Sequence, residues 1–366
     1  MNVTLDNIIF ALQRSGGISV YWSELIRRLL TDPGFTLSFI DLPNENIFRK
    51  NLSIPQQAII RNPLASYPLS VQRYLNPGVR GRGIFHSSYY RSSSDLDMVN
   101  VTTVHDFTYE YYRKGLPRMI HGFQKGRTVR NSKKIICVSE NTRADLLKFY
   151  PDIDPESITV IYNGVDDGYH PLERKEESEL RKFMSFSSGE YALYVGDRKS
   201  VFKNFPVAVR ACKTAGVPLV TAGGGTLTPA ERELLKDNLG PSGNKALSYL
   251  SNEQLNLIYN HALCLLYPSS YEGFGIPIIE AQKAGCPVMT TRLSSIPEVA
   301  GKGAIFSEAA DDIYFASLLS QIRANPSLTG TVIEEGLRNA HRFSWDTCYM
   351  KTKDVYREVN EKYCQA

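Results

Sequence analysis

The stretch Ala262–Gly285, ALCLLYPSSYEGFGIPIIEAQKAG, constrains the fold more than any other part of the chain. It begins with a short apolar run, Ala262–Tyr267, which predicts a buried strand. The loop Ser269–Gly275 follows; Pro277 suits the first turn of a helix and Gly285 suits its end. A helix start presents unpaired N–H groups and a partial positive charge, and glycines let a large anion approach the backbone. The order of strand, glycine-bearing loop and helix therefore predicts a phosphate or diphosphate site.

Two carboxylates flank this predicted site. Glu272 lies in the loop, and Glu280 lies about one turn into the helix, where its side chain should point back toward the N-terminus. Carboxylates accept hydrogen bonds from hydroxyls, so two of them can hold two polyols on either side of a phosphate bridge. A nucleotide sugar has that layout of ribose, diphosphate and sugar. For Glu280 alone, the alternative is an acidic residue that only interacts favourably with the helix dipole.

The sequence EGFGIPIIE, from Glu272 to Glu280, resembles the signature of retaining glycosyltransferases of family four, which have the two-domain GT-B fold. The resemblance implies that Glu272 contacts the donor sugar and that Glu280 binds the ribose hydroxyls. It also implies that sugar and diphosphate are held by the loop amides of Gly273, Phe274, Gly275 and Ile276.

Strand-like segments alternate with helical ones along the chain, which predicts parallel sheets. The first predicted strand is Val3–Leu12, and the pattern starts again at Tyr191–Val195, after a linker near residues 165–190. We therefore expect an α/β protein of two doubly wound, Rossmann-like domains that face a central cleft, with ligands beyond the carboxyl ends of the strands. Further predicted strands are Phe35–Ile40, Gly83–His86, Asn100–Val104, Lys134–Val138, Ile158–Tyr162, Val217–Thr221, Leu247–Leu250 and Pro287–Thr291.

The resemblance also implies the domain boundaries. Residues 1–168 together with 345–366 would form an N-terminal acceptor-side domain, and residues 169–344 a C-terminal domain that binds the nucleotide-sugar donor. The last predicted helix, Asp346–Tyr363, would cross back onto the N-terminal domain.

Two cations follow the first strand of the second half. Arg198 and Lys203 come after a glycine, Gly196, and suit a leaving diphosphate, because Arg can grip it in a bidentate manner and Lys adds a point charge. Such charges would stabilise the negative charge that grows on the leaving group. A solvated basic loop is the alternative, but the order of the residues resembles the diphosphate pair of the family.

Three further positions end predicted strands or lie near them. Gly223 opens a triple-glycine loop that either lines the nucleotide pocket or is a flexible connector. Tyr249 and Leu250 lie where the resembled family holds the base through backbone groups; the Tyr249 ring either stacks on the base or packs in the interior. We expect all three to belong to the nucleotide pocket.

The N-terminal half carries two candidates. His105 ends a predicted strand and resembles the cleft histidine of the family, where a neutral imidazole hydrogen-bonds a hydroxyl of the donor sugar. Gly16 and Gly17 close the first predicted strand, where their amides could approach the donor diphosphate or the acceptor; an ordinary tight turn is the alternative. His86 also ends a strand, so we keep it open, and we expect most of the other histidines to pack in the interior.

Composition and charge narrow the class of protein. Hydrophobic residues make up 42% of 366 residues, as in an ordinary globular protein, and the six scattered cysteines predict reduced, packed thiols in the cytoplasm. We find no apolar run long enough to span a membrane and expect no signal peptide at the start. The net charge of +4 arises in the N-terminal half, and no motif supports nucleic-acid binding.

Residues 113–134 contain eight Lys or Arg residues and no acid. A face that includes Met119, Ile120 and Phe123 suits an anionic bilayer, so we expect peripheral contact with the inner face of the plasma membrane. A solvated helix face and a site for an acceptor diphosphate are the alternatives.

The motif Asp95-Leu96-Asp97 has the form of the metal–nucleotide motif found in the other large glycosyltransferase fold, but it lies in a polar loop and predicts a solvated turn. Positive charge from Arg198, Lys203 and the helix N-terminus would replace a metal. We therefore expect catalysis without a metal or other cofactor.

The sequence as a whole predicts a retaining hexosyltransferase of polysaccharide biosynthesis. We expect UDP-glucose as the donor and a saccharide or lipid-linked saccharide as the acceptor; GDP-mannose is the close alternative, because the chain also resembles bacterial mannosyltransferases of surface-polysaccharide assembly. A nucleotide-sugar epimerase and a non-catalytic nucleotide-sugar binding protein remain open. A dehydrogenase is disfavoured, since neither half opens with Gly-x-Gly-x-x-Gly.

Overall fold

The computed structural model describes residues 1–173 and 177–364, and the chain divides into two compact units. The first unit comprises Met1–Gly164 and Trp345–Ala366, and the second comprises Val165–Ser344. Residues 174–176 of the predicted linker and residues 365–366 of the predicted first domain lie outside the described residues.

The first unit is built on a parallel sheet of seven strands: β1 (Asn2–Asp6), β2 (Thr36–Ile40), β3 (Ile59–Ile60), β4 (Gly83–Ser87), β5 (Met98–Val104), β6 (Ser132–Cys137) and β7 (Ile158–Val160). Their order across the sheet is β3-β2-β1-β4-β5-β6-β7. The connecting helices are α1 (Ile8–Leu12), α2 (Gly17–Thr31), α3 (Leu69–Gln72), α4 (Thr108–Tyr112), α5 (Leu116–Arg130) and α6 (Glu140–Phe149).

The second unit repeats this plan with six parallel strands: β8 (Ala192–Val195), β9 (Leu219–Ala222), β10 (Asn244–Leu247), β11 (Cys264–Tyr267), β12 (Val288–Thr291) and β13 (Ile305–Ser307). Their order is β10-β9-β8-β11-β12-β13. Its helices are α7 (Glu177–Leu180), α8 (Phe205–Ala215), α9 (Pro229–Leu239), α10 (Asn252–His261), α11 (Ile276–Lys283), α12 (Ile296–Ala300), α13 (Asp312–Ala324) and α14 (Pro326–Ala340).

In both units the strand order reverses direction beside the first strand, between β1 and β4 and between β8 and β11. Ligands of doubly wound sheets bind beyond the carboxyl ends of the strands at such a switch point. The predicted pair of doubly wound α/β units is therefore confirmed. The candidate residues after β8 and β11 lie at the switch point of the second sheet.

The last long helix, α15 (Trp345–Val359), belongs to the first unit, as predicted. Tyr356 is buried and its hydroxyl lies 2.6 Å from Nδ1 of His86. Tyr349 and Lys353 both donate hydrogen bonds to the carboxylate of Asp32 at the end of α2. Polar bonds and burial together fix the C-terminal helix to the N-terminal sheet.

Two predicted strands are misplaced. The strand predicted over Val3–Leu12 ends at Asp6, and Ile8–Leu12 forms α1, so Gly16 and Gly17 follow a helix rather than a strand. A fully buried apolar run looks the same in a strand and in a helix, which explains the error. The strand predicted over Leu247–Leu250 instead covers Asn244–Leu247, and Tyr249 has a left-handed φ of 58° that no strand allows.

Two predictions from composition can be compared with the structure. Each of the six cysteines, all within the described residues, is free and buried, which confirms packed thiols. Within residues 1–173 and 177–364, no helix combines the length and the apolar content needed to cross a bilayer.

Candidate active site

The stretch that dominates the sequence folds as the order of its residues predicts. Strand β11 is buried, a loop follows, and Gly275 precedes α11 with a left-handed φ of 104°, a conformation that favours glycine. Pro277 lies in the first turn of α11. Gly285, two residues beyond the end of the helix, also has a positive φ, of 74°. The amide groups of the helix start therefore border the loop that carries Glu272.

Glu272 is held through both its side chain and its backbone. Its Oε1 accepts a hydrogen bond from Nζ of Lys203 at 2.7 Å. Its backbone N–H donates to Oγ of Ser294, and its carbonyl accepts from the hydroxyls of Ser294 and Ser295 at 2.5 and 2.9 Å. The Ser295 hydroxyl also reaches the carbonyl of Phe274 at 3.1 Å. The turn after β12 thus supports the loop, a role for two serines that the sequence analysis missed.

Lys203 reaches Glu272 because a second loop is tied to the first. The turn Val201–Lys203 ends at Asn204, whose side-chain amide donates to Pro268 O at 2.9 Å and to Ser270 Oγ at 2.6 Å. The N–H of Ser270 donates in return to Phe202 O at 2.7 Å. The loops after β8 and β11 therefore form one hydrogen-bonded unit, which brings two sequence-predicted residues, Lys203 and Glu272, into contact.

Arg198 is buried within the second unit. Its side chain has 0% exposure and forms an ion pair with Glu231 at 3.2 Å. Its other N–H groups donate to the carbonyls of Gly223, Gly224 and Gly225. The structure thus joins Arg198 to the triple-glycine loop, and contact with a diphosphate stays a prediction.

The predicted nucleotide-pocket residues lie around this loop. The Gly223–Gly225 carbonyls are engaged by Arg198, and the Ser248 hydroxyl donates to Gly225 O at 3.1 Å, so the loop is anchored rather than a loose connector. The side chain of Tyr249 is 63% exposed, which excludes packing in the interior. Leu250 follows it, half-buried. Base binding by Tyr249 and Leu250 stays a prediction.

Glu280 is half-buried, and two tyrosines hold its carboxylate. Its Oε2 accepts a hydrogen bond from the hydroxyl of buried Tyr259 at 3.1 Å, and Tyr169 supplies a second hydrogen bond. Burial raises the pKa of Glu280 to about 7, although both tyrosines oppose this shift. The two tyrosines position the carboxylate, and the sequence analysis did not identify either of them.

The N-terminal candidates lie in the first unit. His105 follows β5 and packs edge-on against Tyr21, with ring centroids 5.0 Å apart. Burial is the main cause that lowers the pKa of His105 to about 4, so its imidazole is neutral at pH 7, the form expected for hydrogen bonding to a sugar hydroxyl. Gly16 and Gly17 begin α2, and Gly16 O accepts the hydrogen bond of Val20 N at 3.1 Å. Donor contact by His105, Gly16 and Gly17 stays a prediction.

His86, which the sequence left open, packs in the interior. It is fully buried, with Nδ1 2.6 Å from Tyr356 Oη and Nε2 3.0 Å from Thr103 Oγ1. Burial lowers the pKa of His86 to about 3. Both ring nitrogens therefore have partners within the core.

The Asp95-Leu96-Asp97 motif forms a turn, as its polar surroundings predict. Asp95 accepts hydrogen bonds from the backbone N–H of Gly81 and of Asp97, both at 3.1 Å. Leu96 is 99% exposed at the tip. The carboxylate of Asp95 is thus used to shape its own loop.

The basic segment 113–134 is less uniformly solvated than its composition suggests. Lys125 is buried and bonded to Glu110 at 2.9 Å, Arg130 pairs with Asp152, and Lys134 pairs with Glu358. The exposed apolar side chains of the segment lie on α5: Leu116 at 66%, Met119 at 69%, Ile120 at 40% and Phe123 at 74%. The predicted apolar face is therefore present, and three of the eight cations of the segment form ion pairs with acidic side chains.

Two family models match the chain in succession. One, described as glycosyltransferase family 4, matches residues 15–169. The other, described as glycosyl transferases group 1, matches residues 176–337.

Curated relatives carry related descriptions. The O-antigen chain mannosyltransferase B of Escherichia coli is 26% identical over 288 residues, which cover 75% of this chain and 74% of the relative. A glycosyltransferase of Methanocaldococcus jannaschii is 24% identical over 363 residues, which cover 94% of this chain and 95% of the relative.

Solved structures share the fold. A sucrose-phosphate synthase from Thermosynechococcus elongatus superposes with a TM-score of 0.79 at 16% identity, covering 98% of this chain and 99% of that one. Anabaena HepE in complex with UDP-glucose superposes with a TM-score of 0.71 at 14% identity, covering 98% of this chain and 100% of HepE. With both units matched by glycosyltransferase models and the whole chain matched by this architecture, the protein belongs to the family 4 and group 1 glycosyltransferases of GT-B fold.

Proposed function

We propose that the protein is a retaining hexosyltransferase that moves a sugar from a nucleoside-diphosphate hexose to a saccharide or lipid-linked saccharide during polysaccharide biosynthesis. The contact between Lys203 and Glu272 at the start of α11 carries this proposal. It places a cation suited to a diphosphate beside a carboxylate suited to sugar hydroxyls, at the switch point of the second sheet.

Two donors are candidates. UDP-glucose is the donor that we expect from the sequence, and the HepE complex shows that a protein of this fold binds it. GDP-mannose is the second candidate, because the E. coli relative is a mannosyltransferase and its 26% identity exceeds that of the HepE structure. The acceptor is a hydroxyl-bearing sugar in either case.

The charges suggest how the transfer proceeds. The ammonium of Lys203 has three N–H donors. Among the described residues, Glu272 and the Tyr267 hydroxyl accept two of these hydrogen bonds, so the third N–H can donate to a phosphate oxygen. Glu272 accepts hydrogen bonds from the donor sugar, and Glu280 accepts them from the ribose. Because Arg198 is buried against protein atoms, we assign the leaving diphosphate to Lys203 and to the amides before α11.

No carboxylate is assigned as a nucleophile, so the acceptor hydroxyl attacks the anomeric carbon from the face that the diphosphate leaves. The bond from that carbon to the phosphate oxygen breaks, the new glycosidic bond forms, and the departing phosphate takes the acceptor proton. We propose that Lys203 and the helix start stabilise the departing charge without a metal.

A donor panel tests this function. Purified protein is incubated with UDP-glucose, UDP-galactose, GDP-mannose and other donors, with and without EDTA, and release of the nucleoside diphosphate is measured. We expect release from one donor that survives EDTA, vanishes in Glu272→Gln and persists in the control Glu334→Gln, a change at an exposed position of α14.

Other outcomes of the panel separate the rivals. An isomerised sugar without an acceptor would indicate an epimerase. Binding of a nucleotide sugar with no release of nucleoside diphosphate, and with Glu272→Gln changing only the affinity, would indicate a binding protein. Release that requires added metal would contradict the metal-free mechanism.

We further propose that α5 rests on an anionic membrane surface at the cytoplasmic face. Met119 and Phe123 lie four positions apart on this helix and expose 69% and 74% of their surfaces. Arg113, Lys114 and Arg118 lie at the beginning of the same segment. Apolar side chains with cations nearby suit the boundary between headgroups and acyl chains.

A further inference from the structure

The guanidinium group of Arg198 donates hydrogen bonds to one carboxylate and three backbone carbonyls. Its Nε donates to Oε1 of Glu231 at 3.2 Å. Nη1 donates to the carbonyl of Gly223, and Nη2 donates to the carbonyls of Gly225 at 2.7 Å and of Gly224 at 3.4 Å. With no exposed side-chain surface, the guanidinium group cannot contact a diphosphate unless these bonds break.

The glycine loop has a conformation that depends on this cation. Gly223, Gly224 and Gly225 have φ values of 84°, 68° and 69°, so three successive residues are left-handed. Their carbonyls all point to one guanidinium group, and a Cβ at Gly224 would lie 3.0 Å from Nη1 of Arg198. Three such residues in a row have little stability of their own, because the conformation is costly for all residues but glycine and is not fixed even in glycine.

Glu231 connects the pair to α9. It is part of a capping box: its Oε2 accepts from Thr228 N at 2.6 Å, and its own N–H donates to Thr228 Oγ1 at 3.2 Å. Burial would raise the pKa of Glu231, but the bonds to Thr228 and the charge of Arg198 hold it below its usual value. One carboxylate thus caps α9 and holds Arg198 in place.

We propose that Arg198 and Glu231 are positioning residues that fix the Gly223–Gly225 loop for nucleotide binding, and that Arg198 does not itself bind the diphosphate. This inference rests on the proposed function for its ligand, a nucleoside diphosphate. Of the two cations in the predicted pair, Lys203 then provides the side-chain charge for the leaving group. The planar shape of the Arg198 guanidinium group is more important for holding the loop than its charge is. Only a planar group with several N–H donors can reach three carbonyls and a carboxylate.

The first experiment needs no ligand. Amide hydrogen exchange is compared in wild type, Glu231→Gln and the control Glu233→Gln, an exposed position on the same helix. Thr228 and Arg198 donate to different oxygens of the Glu231 carboxylate. A glutamine has only one acceptor oxygen, so it cannot accept both hydrogen bonds at these two positions. We expect exchange over residues 222–227 to rise about tenfold in Glu231→Gln only, which corresponds to the loss of one charged hydrogen bond. Unchanged exchange in this segment would overturn the proposal.

The second experiment measures affinities for UDP, GDP, UMP and GMP by calorimetry. If Arg198 positions the loop, Arg198→Lys and Glu231→Gln weaken diphosphate and monophosphate by the same factor, about tenfold, whereas Lys203→Met weakens the diphosphate selectively. If Arg198 binds the diphosphate, Arg198→Lys either keeps most of the affinity for all four nucleotides or weakens UDP and GDP binding without weakening UMP and GMP binding. Either result overturns the proposal. Glu231→Gln still decides the question if Arg198→Lys does not fold.

The two experiments also separate the two proposals. If the wild type binds none of the four nucleotides, the proposed function fails, and the exchange experiment still decides whether Arg198 and Glu231 fix the loop. If the wild type binds nucleotide but the loop variants behave like Glu233→Gln, the positioning role fails and the proposed function stands.

Discussion

Lys203 and Glu272 are 69 positions apart in the chain, and Nζ of the lysine lies 2.7 Å from Oε1 of the glutamate. Each side chain keeps a small exposed surface, 16% for Lys203 and 11% for Glu272. The pair is therefore accessible to a ligand and still largely removed from solvent. A bound donor would face both charges at once, with its diphosphate near the cation and its sugar near the carboxylate.

A double-mutant cycle should show that this pair acts as a unit. We expect Lys203→Met and Glu272→Gln each to lower the free energy of unfolding by about 1 kcal/mol, with a coupling of about 0.5 to 1 kcal/mol in the double variant. Urea denaturation measures these values. The exposed pair Arg292–Glu308, at 54% and 81% exposure, is the control and should show almost no coupling. Strictly additive effects for Lys203 and Glu272 would contradict the prediction.

Glu280 should make nucleotide binding depend on pH. Its folded pKa is about 7, so its carboxylate is fully available to ribose hydroxyls only above that value. We expect UDP or GDP affinity to rise as the pH passes through 7, and Glu280→Gln to remove this part of the profile. Because the Tyr259 hydroxyl favours the charged carboxylate, Tyr259→Phe should move the midpoint upward. Calorimetry at several pH values measures the effect; a wild-type profile that matches Glu280→Gln would refute it.

The same group should affect stability with the opposite sign. The folded pKa lies above the ordinary glutamate pKa of 4.5, so the folded protein binds this proton more tightly than the unfolded chain does. The contribution of Glu280 to stability is thus fully present below 4.5 and is lost as the pH rises through 7. Unfolding free energies of wild type and Glu280→Gln should approach each other at low pH and diverge, with the variant more stable, toward pH 8.

Two neighbouring glycines should respond differently to alanine. A Cβ at Gly225 meets no atom within 4 Å, so Gly225→Ala should cost about 1 kcal/mol for its left-handed φ alone. A Cβ at Gly224 would lie 3.0 Å from Arg198 Nη1 and 3.1 Å from Gly196 O. Gly224→Ala should cost about 1 to 3 kcal/mol more, because the crowding adds to the backbone cost. Chemical denaturation measures both losses of unfolding free energy. Equal losses for the two variants would mean that the Arg198 side chain moves aside without cost.

Membrane contact by α5 should depend on its exposed apolar side chains. We expect Met119→Ser with Phe123→Ser to lower binding to anionic vesicles about tenfold or more, because burial of each side chain contributes about 1 kcal/mol or more. Co-sedimentation with anionic and neutral vesicles measures this. Ile313→Ser, at a position 72% exposed on α13, is the matched control and should bind like the wild type. Wild-type protein that does not co-sediment with anionic vesicles would refute the membrane proposal.

The sequence alone determined the features that depend on neighbours in the chain. Apolar runs and glycine or proline positions located most strands of both sheets, and the order around Glu272 predicted strand, loop and helix because each local choice agrees with the next. Errors occurred where local pattern is ambiguous: the buried run Val3–Leu12 contains both a strand and a helix. Both halves of the chain could thus be assigned to the doubly wound class from the sequence alone.

Only the tertiary structure decided which of the predicted site residues meet. Arg198 and Lys203 are five positions apart and look alike as cations, yet one is buried against glycine carbonyls and the other faces Glu272. Tyr259 and Ser295 carry no signal in the sequence, because a hydroxyl gains its role from the partner that folding brings to it. Hydrogen bonds and ion pairs act over a few ångströms, so partners that are distant in the chain are set by the packing of the sheets and not by the spacing of residues.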